Sequence, residues 1–378
     1  MRGKKIVFCE ASLMKTIMIF ANNDVGLFKF RKELIEALLN RYEVHIALPY
    51  GEYVDQLVQM GCIFHATEFQ RRGKNPINDF VLLKRYNDLL REVSPIAVLT
   101  YTVKPNIYGG IVCTLRKIPY LANITGLGTA IENGGFMQKL LLALYKLGLR
   151  KAQKVFFQNE TNRDFMLSKG VVKGAFELLP GSGVNLDENS AEPYPNQENP
   201  LVFATIGRIM KDKGADEILY AAKTIQRDYP NVVFRLIGGF DGAYEEKVQQ
   251  AVAAGTIEYL GHQSDVHACL KEAHAVVHAS YHEGMSNVLL EAAACARPVI
   301  ATDVAGCRET YENHVSGIAC EARDGDDLVR AIREFIALPY DQKALMGQAG
   351  RRKVELEFDR SIIINRYMKT IEEIGFSR

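Results

Sequence analysis

The chain has 378 residues, 48% of them apolar and 24% charged, the balance of a soluble globular protein with more length than one ordinary core takes, so two domains are expected. No apolar run reaches the length of a membrane span, and Glu10 interrupts the basic start soon after Phe8, so neither a spanning helix nor a cleavable leader is expected. Seven cysteines are scattered without a Cys-x-x-Cys pair, which predicts reduced thiols and a cytoplasmic protein.

The net charge of +1 conceals a division. Residues 1–185 hold 25 Lys and Arg against 15 Asp and Glu, and residues 186–378 hold 21 against 30. Halves charged +10 and −9 suggest different partners. The basic half suits an anionic membrane surface or a diphosphate-linked acceptor, with a merely solvated surface as the alternative. No motif or basic-aromatic stripe supports nucleic acid, and none is expected as a partner.

In chain order, short apolar runs alternate with amphipathic stretches, the pattern of repeated βα units. Residues 16–20 read as the first strand, so that a domain starting at Met14 is complete and residues 1–13 form an extension; Ile6 to Cys9 as an extra edge strand is the alternative. A loop over residues 21–26 leads to a helix at 27–39. Strands at 44–48 and 63–66 flank a helix at 53–60. The basic loop Gln70-Arg71-Arg72-Gly73-Lys74-Asn75-Pro76 precedes a long helix at 78–92, and strands follow at 96–100 and 120–124. Between these last two, Pro105 suits the first turn of a helix whose inner face is Ile107, Ile111 and Leu115. Residues 136–154 mix leucines with Lys139, Lys146, Arg150, Lys151 and Lys154, a basic amphipathic stretch fit for a membrane surface or for a core face. Strands at 155–158 and 176–179 close the first domain, and the polar, proline-bearing residues 186–200 read as a linker.

The pattern restarts with a continuous apolar strand at 201–206. Then come Gly207-Arg208-Ile209-Met210-Lys211-Asp212-Lys213-Gly214 and a helix at 215–227. A strand at 232–237 ends in Gly238-Gly239, and one at 257–260 runs into Gly261-His262-Gln263-Ser264-Asp265-Val266. Asp324-Gly325-Asp326 stands before an amphipathic helix at 328–337, where a helix cap is favoured over a metal-binding Asp-x-Asp. His274, His278 and His282 are read as structural, since strand and turn geometry does not align them as metal ligands. A terminal helix is expected at 362–374.

The most informative stretch is Ser280-Tyr281-His282-Glu283-Gly284-Met285-Ser286-Asn287-Val288-Leu289-Leu290-Glu291. A buried strand, Ala275-Val276-Val277, precedes it, and helical spacing follows it through Val288, Leu289, Ala292 and Cys295. Ser286 or Asn287 is a natural N-cap. A helix start beyond a strand's carboxyl end presents free N–H groups to a phosphate, yet carboxylates stand on both sides of it. A ligand with both phosphates and hydroxyls, such as a nucleotide sugar, satisfies the arrangement.

Glu283-x7-Glu291, with Arg297-Pro298-Val299-Ile300-Ala301-Thr302 beyond it, resembles the signature of family 4 retaining glycosyltransferases of GT-B fold. Gly207-Arg208-x4-Lys213-Gly214 resembles the family's phosphate loop in register with it. The resemblance runs over nearly the whole chain from Thr16. It implies an α/β fold of two facing Rossmann-like domains with parallel sheets and an inter-domain cleft: 14–185 on the acceptor side, 186–200 as linker, 201–358 binding the nucleotide sugar, and 359–378 crossing back. It implies that Arg208 and Lys213 stabilise the leaving diphosphate, that Glu291 holds ribose, and that Glu283 lies beside the donor sugar. Gly207, Gly238, Gly284, Met285, Ser286 and Asn287 join the donor site, and His262 and Val266 line the nucleobase slot.

Asn22-Asn23-Asp24-Val25-Gly26 with Phe30-Arg31, and Tyr101-Thr102-Val103-Lys104-Pro105-Asn106, resemble the branch that builds bacterial surface polysaccharides and lipid-linked oligosaccharides. Asn23, Gly26, Arg31, Lys104 and Thr125 are accordingly candidate acceptor or donor-phosphate contacts. Where many members carry a histidine near Ile124-Thr125-Gly126-Leu127-Gly128-Thr129, this chain has none. The expected activity is retaining transfer from a UDP-hexose or UDP-N-acetylhexosamine to a saccharide or undecaprenyl-diphosphate-linked acceptor, with no metal and no further cofactor, at the inner face of the plasma membrane. A nucleotide-sugar epimerase and a non-catalytic nucleotide-sugar-binding scaffold are the alternatives.

Overall fold

The computed structural model describes residues 14–68, 76–127, 134–198 and 200–376. The expectations for residues 1–13, for 70–75 of the basic loop and for Gly128 and Thr129 fall outside the described residues.

The first sheet is built from β1 (Thr16–Phe20), β2 (Glu43–Leu48), β3 (Ile63–Ala66), β4 (Ala97–Tyr101), β5 (Tyr120–Ile124), β6 (Lys154–Phe157) and β7 (Phe176–Leu178). Its seven strands lie in the order β3-β2-β1-β4-β5-β6-β7. The second holds β8 (Leu201–Ile206), β9 (Val232–Ile237), β10 (Glu258–Gly261), β11 (Ala275–His278), β12 (Val299–Thr302) and β13 (Gly317–Cys320), in the order β10-β9-β8-β11-β12-β13. Runs such as Ile17–Phe20 and Ala275–His278 are buried without alternation, as strands covered on both faces require. Pairing is parallel on both flanks of β1, with Ile17 opposite Val44 and Ala97, and on both flanks of β11.

Helices connect the strands: α1 (Asp24–Leu39), α2 (Val54–Gln59), α3 (Pro76–Val93), α4 (Gly110–Arg116), α5 (Gly135–Gly148) and α6 (Glu160–Ser168), then α7 (Ala215–Asp228), α8 (Glu245–Ala253), α9 (Val266–Glu272), α10 (Asn287–Ala294), α11 (Gly325–Ala337), α12 (Tyr340–Glu357) and α13 (Arg360–Phe376). Their starts follow the capping chemistry: Asn23, Asn159, Asp265, Ser286 and Asp324 each accept a first-turn N–H. Cores form on the sheets, with Phe20 stacked on Tyr86 at 3.9 Å in the first and Phe203 between Phe234 and Phe335 at 5.2 and 5.8 Å in the second.

Two compact units result. One contains the described residues up to Asn123, 144–154 and the chain from Tyr367; the other contains 124–143 and 155–366. The last turns of α13 belong to the first unit, where Tyr367 donates to Asn123 Oδ1 and Lys154 to Thr370 Oγ1.

One expected face is wrong. The helix after β4 opens as a π turn, Pro105–Gly109, before α4. The wider turn changes the phase of every later side chain, so Val112 and Cys113 are buried and Leu115 is 72% exposed. Here α4 crosses the chain at backbone distance: a Cβ on Gly110 would stand 1.9 Å from Gly148 O.

Within the stretch expected as a linker, Glu192 and Pro193 are held along the second unit. Arg297, with no exposed surface, donates from Nε to Leu270 O, from Nη1 to Glu192 O and Cys295 O, and from Nη2 to Pro193 O and Lys271 O, all at 2.8–3.0 Å. Several of these carbonyls end α9 and α10, whose negative dipole ends favour a cation. Arg297→Met would strip these buried carbonyls of the guanidinium's donors, leaving Leu270 O and Cys295 O only the N–H groups of Ala273 and Glu192. It should therefore lower unfolding free energy by about 3–5 kcal/mol, read as a lower urea midpoint at unchanged slope.

Candidate active site

In the second sheet the order reverses between β8 and β11, the point at which loops leave to opposite sides and open a crevice at the carboxyl ends. The loop after β8 carries Arg208 and a short 3-10 turn, Lys211–Lys213. It closes on Gly214 at φ +72°, where a Cβ would lie 2.2 Å from Ala279 O. Only glycine combines that backbone with that approach. The loop is fixed to the chain beyond β11 by Tyr281 N–H donating to Asp212 O at 2.9 Å and by Ser280 Oγ at 3.3 Å. That docking brings Lys213 onto Glu283.

Glu283 Oε1 accepts from Lys213 Nζ and from His278 Nε2, the latter at 3.1 Å. Ser286 Oγ lies 3.2 Å from the same histidine nitrogen and caps α10 through Leu289 N–H. Burial opposes ionisation of Glu283, but the His278 hydrogen bond and the Lys213 charge outweigh it and hold the carboxyl at about 2. Glu283 is thus an ionised carboxylate that only accepts hydrogen bonds. Its carbonyl is closely approached by Gly306, at φ +82°, where a Cβ would come within 2.6 Å.

Arg208 is paired as well, donating from Nη1 to Asp241 Oδ2 at 2.5 Å. Gly238 abuts Gly207, its absent Cβ 1.9 Å from Gly207 O, so the loops after β8 and β9 are stacked backbone to backbone. On the other side of Glu283, a Cβ on Gly284 would meet Thr125 O at 1.9 Å, and Asn159 Nδ2 donates to Gly284 O at 2.6 Å. Thr125 and Asn159 belong to this same unit.

The candidates therefore sort into groups. Lys213, Glu283, Gly284, Ser286 and Thr125 come together; Gly207 lies against Gly238 instead, and Glu291 lies on α10 beyond the cap. Asn287 Oδ1 accepts from Ser182 Oγ at 2.8 Å. Met285 turns its side chain into a core cluster with Val184, Leu290 and Phe358. Val266 packs on the core beside Leu270, and His262 is exposed. In the first unit, Asn23 caps α1 by accepting from Gly26 N–H at 2.7 Å, so Gly26 lies in the first helical turn rather than in a loop. Lys104 is bound to Asp79 at 2.7 Å, and Arg31 is buried.

His278 was not a candidate on sequence grounds, although its signal is its place as the last residue of β11, at the carboxyl end where ligands sit. His274 is structural: its Nδ1 accepts from Val202 N–H, and burial lowers it to about 4. Asp324 caps α11, accepting from Asp327 N–H at 2.9 Å.

The chain matches the family model described as glycosyl transferases group 1 over residues 187–353 and that described as glycosyl transferase 4-like over residues 17–159. It is 29% identical over 371 residues to the N,N'-diacetylbacillosaminyl-diphospho-undecaprenol alpha-1,3-N-acetylgalactosaminyltransferase of Campylobacter jejuni, covering 92% of this chain and 96% of that one. It is 25% identical over 295 residues to the capsular polysaccharide biosynthesis glycosyltransferase CapM of Staphylococcus aureus, covering 73% and 76%. Among solved structures, Anabaena HepE in complex with UDP and glucose superposes with a TM-score of 0.77 at 17% identity, covering 94% and 99%. Sucrose-phosphate synthase of Thermosynechococcus elongatus does so at 0.79 and 20%, covering 96% and 100%.

Because Glu283 is more acidic folded than its ordinary 4.5, its ionised form stabilises the fold fully above that value. The contribution is lost as pH falls from there towards about 2. Urea unfolding of wild type should show a steeper acid loss over this window than Glu283→Gln. Equal slopes would refute the assignment.

Proposed function

Since the chain is a glycosyltransferase of GT-B fold, we propose that it moves a hexose or N-acetylhexosamine from a UDP donor, with retention. The acceptor in this reading is a saccharide or an undecaprenyl-diphosphate-linked sugar in bacterial surface polysaccharide synthesis. The observation that carries it is the near-full-length likeness to a transferase whose own name states a diphospho-undecaprenol acceptor. A neighbour of the same fold that binds UDP and glucose supports the donor.

In this mechanism Lys213 and Arg208 meet the negative charge that grows on the diphosphate as the sugar leaves, so no metal is needed there. Each exchanges an internal carboxylate for phosphate oxygens. Glu291 orients the ribose hydroxyls, and ionised Glu283 accepts from hydroxyls of the donor sugar. Glu283 is a poor covalent nucleophile, since two donors already hold its Oε1. Attack by the acceptor oxygen on the face from which the phosphate departs, with that phosphate taking the proton, gives retention without a glycosyl-enzyme intermediate.

We also place the protein against the cytoplasmic face of an anionic membrane through α5. Leu142 and Tyr145 are buried on one side of this helix, whereas Phe136 is 80% exposed and Leu140 and Leu147 join it on the outer side. Lys139, Lys146 and Arg150 are exposed on that side too, and no acid stands between residues 134 and 154. This is the composition of a helix lying in a membrane interface.

A panel of UDP sugars assayed with lipid-diphosphate-linked acceptors tests the function. A new product from donor alone would establish the epimerase, and binding without turnover on every acceptor the scaffold. Lys213→Ala and Arg208→Ala should slow kcat on the order of 10²-fold, Glu283→Ala should harm kcat more than KM, and Glu291→Ala should chiefly raise the donor KM. Turnover should survive a chelator; its abolition, with recovery on Mg²⁺ or Mn²⁺, would overturn the metal-free mechanism. Cosedimentation with anionic vesicles should weaken steeply with salt and lose about 1 kcal/mol per lysine removed from α5. Equal binding to neutral vesicles would refute the membrane placement.

A further inference from the structure

The two groups that answer Glu283 are held with different firmness. Lys213 stands in a 3-10 turn, and its side chain is 26% exposed. Its ammonium rides on a flexible four-carbon stem and can turn to another anion without any movement of the backbone. His278 ends β11, where it is paired with Ala301 of β12, and its side chain is 7% exposed. A buried ring on a paired strand cannot follow a ligand.

Glu283 is ionised and only accepts, so His278 Nε2 carries a hydrogen and directs it to Oε1 at 3.1 Å. Ser286 Oγ, 3.2 Å from the same nitrogen, is itself fixed as the cap of α10. Among the described residues no cation other than these two pairs with Glu283. The Cys307 thiol feels the Glu283 charge, but burial first and then that charge push it up, so it brings no positive charge. Once Lys213 leaves, the side-chain donor that remains on this carboxylate is His278.

In the reaction proposed above Lys213 does leave, exchanging Glu283 for the donor's phosphate oxygens. A carboxylate so enclosed and left without a donor takes up a proton, and a neutral carboxyl is a weaker acceptor for a sugar hydroxyl. We propose, resting on that function, that His278 is a positioning residue: it keeps Glu283 ionised and directed while Lys213 is on the diphosphate. Lys213 and His278 hold the same oxygen, Oε1, so Oε2 is left for the sugar both before and after the lysine turns away.

Lys213→Ala imitates the departure of the lysine without any nucleotide. In that background the Glu283 carboxyl, followed by carboxyl-carbon NMR and assigned by its loss in Glu283→Gln, should stay ionised at neutral pH. With His278→Phe added it should be protonated there. With His278→Gln instead, whose amide N–H replaces the ring's, it should be ionised again. Should His278→Phe fail to fold, His278→Asn, whose shorter amide stops short of Oε1, takes its place. The second arm is calorimetric titration of the full chain with UDP. His278→Phe should bind UDP about tenfold or more weakly than wild type and draw more protons from the buffer on binding; His278→Gln should restore both. A merely structural histidine would leave the proton count unchanged. An ionised carboxyl in Lys213→Ala/His278→Phe, or equal affinity and proton count in wild type and His278→Phe, overturns the role. If wild type does not bind UDP, the donor reading falls, and the carboxyl signal in the Lys213→Ala series still decides for or against His278.

Discussion

Lys213 and Glu283 are separated by seventy positions in the chain and meet beside the switch point of the second sheet. A carboxylate as enclosed as Glu283 is unfavourable unless its charge is answered. Lys213 and His278 answer it, and each depends on a backbone feature that no other arrangement supplies. His278 stands there because β11 ends at that residue. Lys213 stands there because Gly214 permits the loop after β8 to lie directly on Ala279. Gly306 in turn allows a third loop to close on the backbone of Glu283. Small residues at the carboxyl ends of these strands are thus the condition for an ion pair, and the pair fixes the ends of the loops that carry it.

Much of this was legible from residue types. The bounds of β8 and β9 follow from unbroken apolar runs, because a strand covered on both faces admits nothing else. Ser286 and Asp324 as caps follow from side chains that can accept a first-turn N–H. Other features depend on information that local pattern does not carry. The π turn at Pro105 shifts the helical phase without any change in hydrophobic spacing, and so misplaces Leu115. Helix α12 escapes periodicity because part of its buried face is Lys343, Gly347 and Gly350: Gly347 lets it approach Ala296 O, a contact of backbone rather than of apolar side chains. Strand β13 is four residues long and contains a glycine, too little for a period to register.

At the site, motif matching gave Lys213 and Glu283 separate duties towards a ligand but not their bond to each other. Spacing says which residues face one crevice; it does not say which pair in the protein by itself. His278 was read as structural because strand and turn geometry does not align it with its neighbours as a metal ligand; its partners are Glu283 and Ser286, whereas the ring of His274 is turned to the backbone of β8.

Four cations of this chain are answered within the fold. Lys213, Arg208 and Lys104 each hold a carboxylate, and Arg297 is surrounded by carbonyl oxygens. In the proposed mechanism a phosphate arriving at Lys213 or Arg208 displaces an existing partner, and its net gain is the difference between two charge-assisted bonds. Such an exchange moderates ground-state affinity and leaves the larger gain for the moment when charge on the phosphate is greatest, which is what selective stabilisation of a transition state requires. Exchange of this kind, in that mechanism, suits cations that face a leaving group, because the phosphate must overcome an internal partner before it gains from the cation.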